Sequence, residues 1–345
     1  MKKTALVIAP GRGTYNKPEL GYLQKHHSDK AEMIAAVDAL RTKNGQTSIL
    51  ELDGREVYSI KEHTRGDNAS PLIYTCSYGD FLSIDREKYD VVAVTGNSMG
   101  WYITLGCAGA LDVAQTAALI NTMGTFMQDS LIGGQIVYSF IDENWQEIAG
   151  KREELAGIVR SINEDPACTV HTSIELGGMI VYGANGKGIE ELKKRLPPLQ
   201  DRFPLLLPNH AAFHTQMQEP ISRKAMDTFS PDMFSAPSLP MIDGRGHIWE
   251  KYSTDPRALF DYTLGHQVCT YYDFTRAVQV GMKEFAPDCL IVLGPGTTLG
   301  GAVAQSLIGI QWDGIASKDD FINRQKSEAP ILYAMGIEEQ RGPVT

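Results

Sequence analysis

Three apolar runs, each ending in a glycine turn, constrain this chain more than any other feature: TALVIA (4–9) before PGRGTY, VVAVT (91–95) before GNSMG, and CLIVLGPGTTLGG (289–301). A strand with no polar interruption has no solvated face, so something must cover it on both sides. The intervening sequence supplies helices for that purpose. In SDKAEMIAAVDALR (29–42), Met33, Val37 and Leu40 fall on one face at helical spacing. SPLIYTCSYGDFL (70–82) also reads as a helix, and small apolar residues from Trp101 to Leu111 suit one packed tightly on a sheet. A further helix is predicted over 112–128, with Asp112 as its N-cap. The expected class is α/β with a parallel sheet.

The texture changes at residue 132. GGQIVYSFI reads as a strand and NWQEIAGKREELAGIVRSI (144–162) as a charged amphipathic helix. CTVHTSIELGGMIVYG follows as one or two strands, then KGIEELKKRL as a helix, closed by Pro197 and Pro198. This pattern predicts a small α+β subdomain over 132–196, inserted in a main domain of 1–131 and 197–345.

Charge and composition exclude several function classes. A net charge of −10 opposes nucleic-acid binding, which needs a basic surplus. No window approaches the ~20 apolar residues of a membrane span, and MKKTALVIAPGRG reads as a first buried strand rather than a signal segment. Five cysteines without a CxxC pair predict reduced thiols and a cytoplasmic setting. No cluster of metal ligands is apparent.

The chemistry begins at GNSMG. A buried strand, then Gly-x-Ser-x-Gly, then a helix is the setting of a nucleophile elbow, in which flanking glycines make room for a cramped serine, here Ser98. The helix N-terminus favours an oxyanion beside it. A serine hydroxyl also needs a base. His26 and His27, in QKHHSDK, are expected to be solvated, and His63, His171, His247 and His266 to be structural. His210 and His214, in LLLPNHAAFHTQM, follow a strand-like run and could reach a serine presented the same way. Spacing does not choose between them.

APGRGTY (9–15), GNSMG (96–100) and AAFHTQM (211–217) together resemble the malonyl-CoA:acyl-carrier-protein transacylase family, which includes polyketide-synthase acyltransferase domains. The similarity continues in FMQ (126–128), MIDGRG (241–246), GHQVCTYYDFTRAV (265–278) and LGPGTTLGG (293–301), over nearly the whole chain. It implies an α/β-hydrolase-like core carrying a ferredoxin-like inserted subdomain. It further implies that Ser98 is the acylated nucleophile and His214 its base, with the backbone amides of Met99 and Arg12 as the oxyanion hole. The implied substrate is a coenzyme A thioester and the acceptor the phosphopantetheine thiol of an acyl-carrier protein. No metal or other cofactor is implied, and the setting is fatty acid or polyketide synthesis.

Departures from the family pattern matter as much. The His before the serine is Asn97, and the Glu after the second glycine is Trp101. The Gln near the catalytic histidine aligns with Asp273, which could orient His214 as in a Ser–His–Asp arrangement. The helix Arg that grips a malonyl carboxylate is Met123, and no Lys or Arg occurs between residues 89 and 150. A carboxylate buried there without a partner would cost several kcal/mol. The acyl pocket, assigned to Met123, Phe213 and Asn97, is therefore expected to take an uncharged group, acetyl or longer. Phe213 pulls toward malonyl, and Arg12 or Arg276 are the alternative cations.

Lys193, Lys194, Arg195, Arg202, Arg223 and Lys224 are the expected basic rim for the anionic partners. Three other readings compete. Water as acceptor would make the same dyad a thioester hydrolase. A non-catalytic carrier-protein-binding subunit would keep the fold alone. PGRG and GANGKG (183–188) suggest nucleotide loops, but they lack the full GxGxxG and GxxxxGK[ST] patterns.

Overall fold

The computed structural model describes residues 2–345. The three apolar runs form the centre of its main sheet. Strand β1 (Lys3–Ala9) pairs in parallel with β2 (Tyr89–Gly96) on one side and β10 (Cys289–Val292) on the other. Beyond β10 lies β11 (Leu332–Ala334), and beyond β2 lie β7 (Met241–Ile242) and the antiparallel β8 (Ile248–Trp249). Ala5 to Ala9 and Leu290 to Val292 are buried throughout, as the uninterrupted patterning requires. Each Leu, Ile or Val among them contributes roughly 1.5–3 kcal/mol by leaving water.

Register carries this into function. Ala9 stands opposite Gly96, and Ile8 opposite Val292, so all three glycine turns emerge at the carboxyl edge of the sheet. Open α/β sheets bind ligands at that edge. The covering helices include α1 (Ala31–Lys43), α2 (Gly66–Ser83), α3 (Gly100–Cys107) and α4 (Val113–Asp129). Asp112 caps α4 as expected: its carboxylate accepts from Gln115 N at 2.7 Å, while Gln115 Oε1 accepts from Asp112 N at 2.8 Å. Helix α3 stops short of the expected residue 111, because Gly109 turns the chain at φ 68°.

The inserted unit is a second sheet in the order β6–β3–β5–β4–β9. Its chain order is β3 (Gly134–Ser139), α5 (Lys151–Ile162), β4 (Val170–Leu176), β5 (Met179–Ala184), α6 (Gly186–Arg195) and β6 (Leu205–Leu206). Two expectations shift here. Helix α5 begins at 151, because the Asp142 carboxylate collects the amides of Asn144 and Gln146 into a tight loop. The sheet also outruns residue 196, since it takes β6 and a parallel edge strand β9 (Tyr272–Asp273) from the main chain. GANGKG is a helix cap, not a phosphate loop: Asn185 accepts from Gly188 N at 2.8 Å.

His27 departs most from its sequence reading. It is buried, with Nε2 2.9 Å from Asp80 Oδ1 inside the protein. Helices α7 (Phe274–Phe285) and α8 (Leu299–Ile308) complete the cover of the sheet. All five cysteines carry free thiols, and among the described residues no helix is long and apolar enough to cross a membrane.

Candidate active site

Ser98 sits at the end of β2 with φ 55°, a left-handed conformation uncommon for a residue with a Cβ. Its neighbours explain why the turn tolerates no bulk. A Cβ on Gly96 would stand 2.4 Å from the Gly100 carbonyl, and one on Gly100 would stand 2.5 Å from the Ala9 carbonyl. The elbow is thus pressed against both α3 and β1. Trp101 is wholly buried, its indole N–H donating to Thr263 Oγ1 at 3.1 Å.

The base comes from the other unit. His214 also has φ 55°, and its Nε2 lies 2.7 Å from Ser98 Oγ. The loop that carries it hangs from the second sheet: Ala212 N donates to Ile132 O, and Ser173 Oγ of β4 donates to the Phe213 carbonyl. Gln135 of β3 donates to Ser173 Oγ at 2.7 Å and accepts from His210 Nδ1 at 3.0 Å. His210 therefore braces the loop, and only His214 meets the serine. The second sheet thus holds the loop that brings His214 to Ser98.

His214 Nδ1 lies 2.6 Å from the carbonyl oxygen of Gln267. A carbonyl can only accept, so the ring proton sits on Nδ1 and Nε2 is free to accept from Ser98. Burial lowers the imidazole pKa to about 4, although the Gln267 carbonyl raises it. The ring is neutral near pH 7, as a general base must be.

Asp273 does not orient His214. Its carboxylate caps α7, accepting from Arg276 N at 2.8 Å, and burial raises its pKa. Asp273 and Arg276 line a separate polar cavity of about 660 Å³, away from the serine. The residue that sequence reasoning missed is Gln267. Its backbone orients His214, its Nε2 donates to Ser98 O at 3.0 Å, and its Oε1 accepts from Tyr102 O–H at 2.9 Å. The signal lay in GHQVC, six residues before the position that motif alignment selected. Tyr272 adds a second brace, donating to Gly96 O at 2.5 Å.

Ser98 and His214 open on a cavity of about 30 Å³ bounded by Ile120, Met123 and Met127 of α4, Phe213 and Arg12. Asn97 is not part of it: its N–H donates to Ala9 O, and its side chain packs at the Gly11 turn. Among the described residues, neither Met99 N nor Arg12 N donates to a protein acceptor, leaving two amides for an oxyanion. The expectation of a cation-free pocket also changes. Helix α4 offers only Met123, but Arg12 of the first glycine turn is among the residues that line the same space.

The expected basic rim is largely committed elsewhere. Lys194 and Arg195 pair with Glu191, Arg223 pairs with Glu219, and Lys224 lies 3.9 Å over the Phe126 ring. Among the described residues no group of acids, histidines or cysteines has metal-binding geometry.

No family model matches the chain. It is 24% identical over 213 residues to the malonyl CoA-acyl carrier protein transacylase of Salmonella typhimurium, covering 60% of this chain and 63% of that protein. The match thus spans somewhat under two thirds of the relative's length. The malonyl-CoA:ACP transacylase of Synechocystis sp. PCC 6803 superposes with a TM-score of 0.75 at 16% identity, covering 99% of this chain and all of that one. A malonyl-transacylase solved in complex with its type II PKS acyl-carrier protein gives 0.72 at 17% identity, covering 99% of both chains. By fold over nearly all of its length, and by weak sequence similarity over part of it, the chain is similar to the malonyl-CoA:acyl-carrier-protein transacylases.

Proposed function

We propose that this protein moves a short acyl group from a coenzyme A thioester, through an ester on Ser98, to the pantetheine thiol of an acyl-carrier protein. The 2.7 Å contact between Ser98 Oγ and His214 Nε2, with both residues at positive φ, carries the reading. Backbone held in such angles is costly and persists where the surroundings over-determine it, as at reacting centres.

The steps follow from the groups present. His214 Nε2 takes the hydroxyl proton as Ser98 Oγ attacks the thioester carbonyl. The amides of Met99 and Arg12 stabilise the oxyanion, and its collapse expels the coenzyme A thiolate, which takes the proton from His214. The acceptor thiol then gives its proton to His214 and attacks the Ser98 ester, so the serine leaves reprotonated. A cavity of about 30 Å³ holds roughly two water-sized groups, which favours an acyl group as small as acetyl over long chains. The partner assignment draws support from the similarity in fold to a transacylase solved with its carrier protein.

Incubation with acetyl-, malonyl- and butyryl-CoA, followed by intact mass measurement, tests the reading. A mass gain of one acyl group, absent in Ser98→Ala, is expected. Release of that group as free acid faster than its transfer to a carrier protein would turn the assignment to thioester hydrolysis.

A further inference from the structure

We infer that Arg12 is a positioning residue: its side chain staples the first glycine turn to the loop that carries His214, and so fixes the base relative to the serine and the oxyanion amides. The inference rests on the acyl-transfer reading and concerns what holds that geometry in place.

The reacting groups come from three segments: the turn after β1, the elbow after β2, and the loop that ends in His214. Backbone already ties the first two, since Asn97 N donates to Ala9 O at 3.0 Å. The loop hangs from the second sheet through Ile132 and Ser173. Arg12 reaches it from the other side. Its Nη2 donates to Asn209 O at 3.0 Å and to Thr64 O at 2.9 Å, and its guanidinium carbon lies 5.6 Å from the centre of the Phe213 ring. Asn209 and Phe213 bracket the loop, and Phe213 directly precedes His214. Asn209 also donates from Nδ2 to Thr64 Oγ1 at 2.6 Å. That bond closes a triangle with Thr64, which ends the short helix Ile60–His63.

No charged partner competes for the guanidinium. Asp67, the acid whose field it feels, is held by Arg65 at 2.9 and 3.0 Å. His210 is kept neutral by burial and bonds to Gln135. Burial lowers the Arg12 pKa to about 10, so the group is still a cation near pH 7, and hydrogen bonds from a cation are the stronger kind. Arg41 shows how the fold completes a buried guanidinium: its three nitrogens donate to four oxygens at 2.5 to 2.9 Å. Arg12 bonds from one nitrogen only, and its Nε is shut in without an acceptor. An unmet buried donor costs stability. What the arrangement provides is a direct link between two segments of the site.

Arg12→Met keeps the apolar stem and removes the donors. Its Ser98 loading by saturating acetyl-CoA, followed by intact mass, should slow by about 10- to 100-fold, the scale of a misplacement of about 1 Å, with KM little changed. The pH limb should rise from about 4 toward 6.5 as water reaches His214, which a loss of stability alone would not cause. Arg12→Lys, which keeps a charged donor, should recover part of the rate. Thr64→Val removes the hydroxyl that Asn209 meets; it should slow loading less and add little to Arg12→Met, because both cut the same triangle. A wild-type rate in Arg12→Met, a loss confined to KM with the limb left near 4, or full additivity with Thr64→Val overturns the inference. Should Arg12→Met not fold, Thr64→Val alone decides, and an unchanged rate and limb refute the staple. If no thioester acylates Ser98 in wild-type protein, it is the acyl-transfer reading that fails, and amide exchange then tests the staple. The Ala212 and His214 amides, which donate to Ile132 and Val268, should exchange at least about tenfold faster in Arg12→Met, and unchanged exchange refutes it.

Discussion

Beside the Gly294 turn, past the end of β10, His27 and Arg341 converge on Asp80; past the end of β2, Ser98 and His214 open on a cavity with no carboxylate in its lining. The first cluster is buried and charge-paired, although neither ring nitrogen of His27 makes a well-directed hydrogen bond. Asp80 is buried and contacts His27 Nε2 at 2.9 Å, accepts from Tyr22 O–H at 2.8 Å and Gly294 N at 2.7 Å, and pairs with Arg341. Burial alone would raise its pKa, but His27 and Arg341 outweigh that and hold it below the ordinary value. The second cluster is open: the Arg12 Nε lacks an acceptor, and Ser98 and His214 both occupy left-handed backbone. The first cluster is internal charge that packs the fold together, whereas the second leaves the Ser98–His214 pair beside a cavity.

The largest effect should separate the two clusters. His214→Gln removes the base and should slow acylation of Ser98 by about 10²- to 10⁴-fold, read by intact mass over time. Its urea midpoint should move little, because the loop keeps its anchors at Ile132 and Ser173. A large loss of stability with little loss of rate would mean that this histidine is structural after all.

Asp80→Asn should show the reverse. It leaves the Arg341 guanidinium buried against a neutral group, which typically costs about 3–5 kcal/mol. Urea unfolding should register that loss, while acyl loading of the folded fraction stays near wild type. A variant as stable as the parent would show that the closed cluster contributes little to the fold.

The pH dependence is a finer probe. Burial sets the His214 pKa at about 4 instead of 6.5, so the base stays neutral down to that region. Acyl loading should stay level from pH 7 to 5 and fall by half near pH 4. Stability follows the same residue with a definite sign. Below pH 6.5 the unfolded chain protonates its histidine while the folded chain does not, so its contribution falls from pH 6.5 to 4 and levels off below. A loading limb near pH 6.5 would place the histidine in water.

How far the sequence could be read differs between the same two regions. The sheet centre was legible because unbroken apolar runs have few ways to be buried, and the elbow because glycines at 96 and 100 mark positions where an added Cβ would stand only 2.4–2.5 Å from neighbouring backbone. The closed cluster was hidden: QKHHSDK looks polar, and only the fold brings Asp80 and Arg341 to His27 from 53 and 314 positions away. Asp273 misled for a related reason. Motif alignment seeks a side chain to orient the base, whereas here a backbone carbonyl at 267 does it, and a carbonyl has no residue-type signature. The pocket was half legible. Met123 was readable as a missing cation, but the Arg12 guanidinium could be placed only by the packing of its turn against Thr64 and Asn209.

The smallest expected effect tests how tightly the open region is held. Tyr102 donates to Gln267 Oε1 at 2.9 Å, and Gln267 in turn holds the Ser98 carbonyl at 3.0 Å and His214 at 2.6 Å. Tyr102→Phe removes one hydroxyl and leaves that amide oxygen unmet, at about 1–3 kcal/mol of stability. Gln267 keeps its backbone carbonyl, so the His214 tautomer is preserved and the pH limb near 4 should not move. Acyl loading should fall by no more than about tenfold, because only the bracing of the serine loosens. A shifted pH limb would show that Tyr102 acts on the imidazole instead, which would tie the base to the α3 side of the elbow as well as to the second sheet.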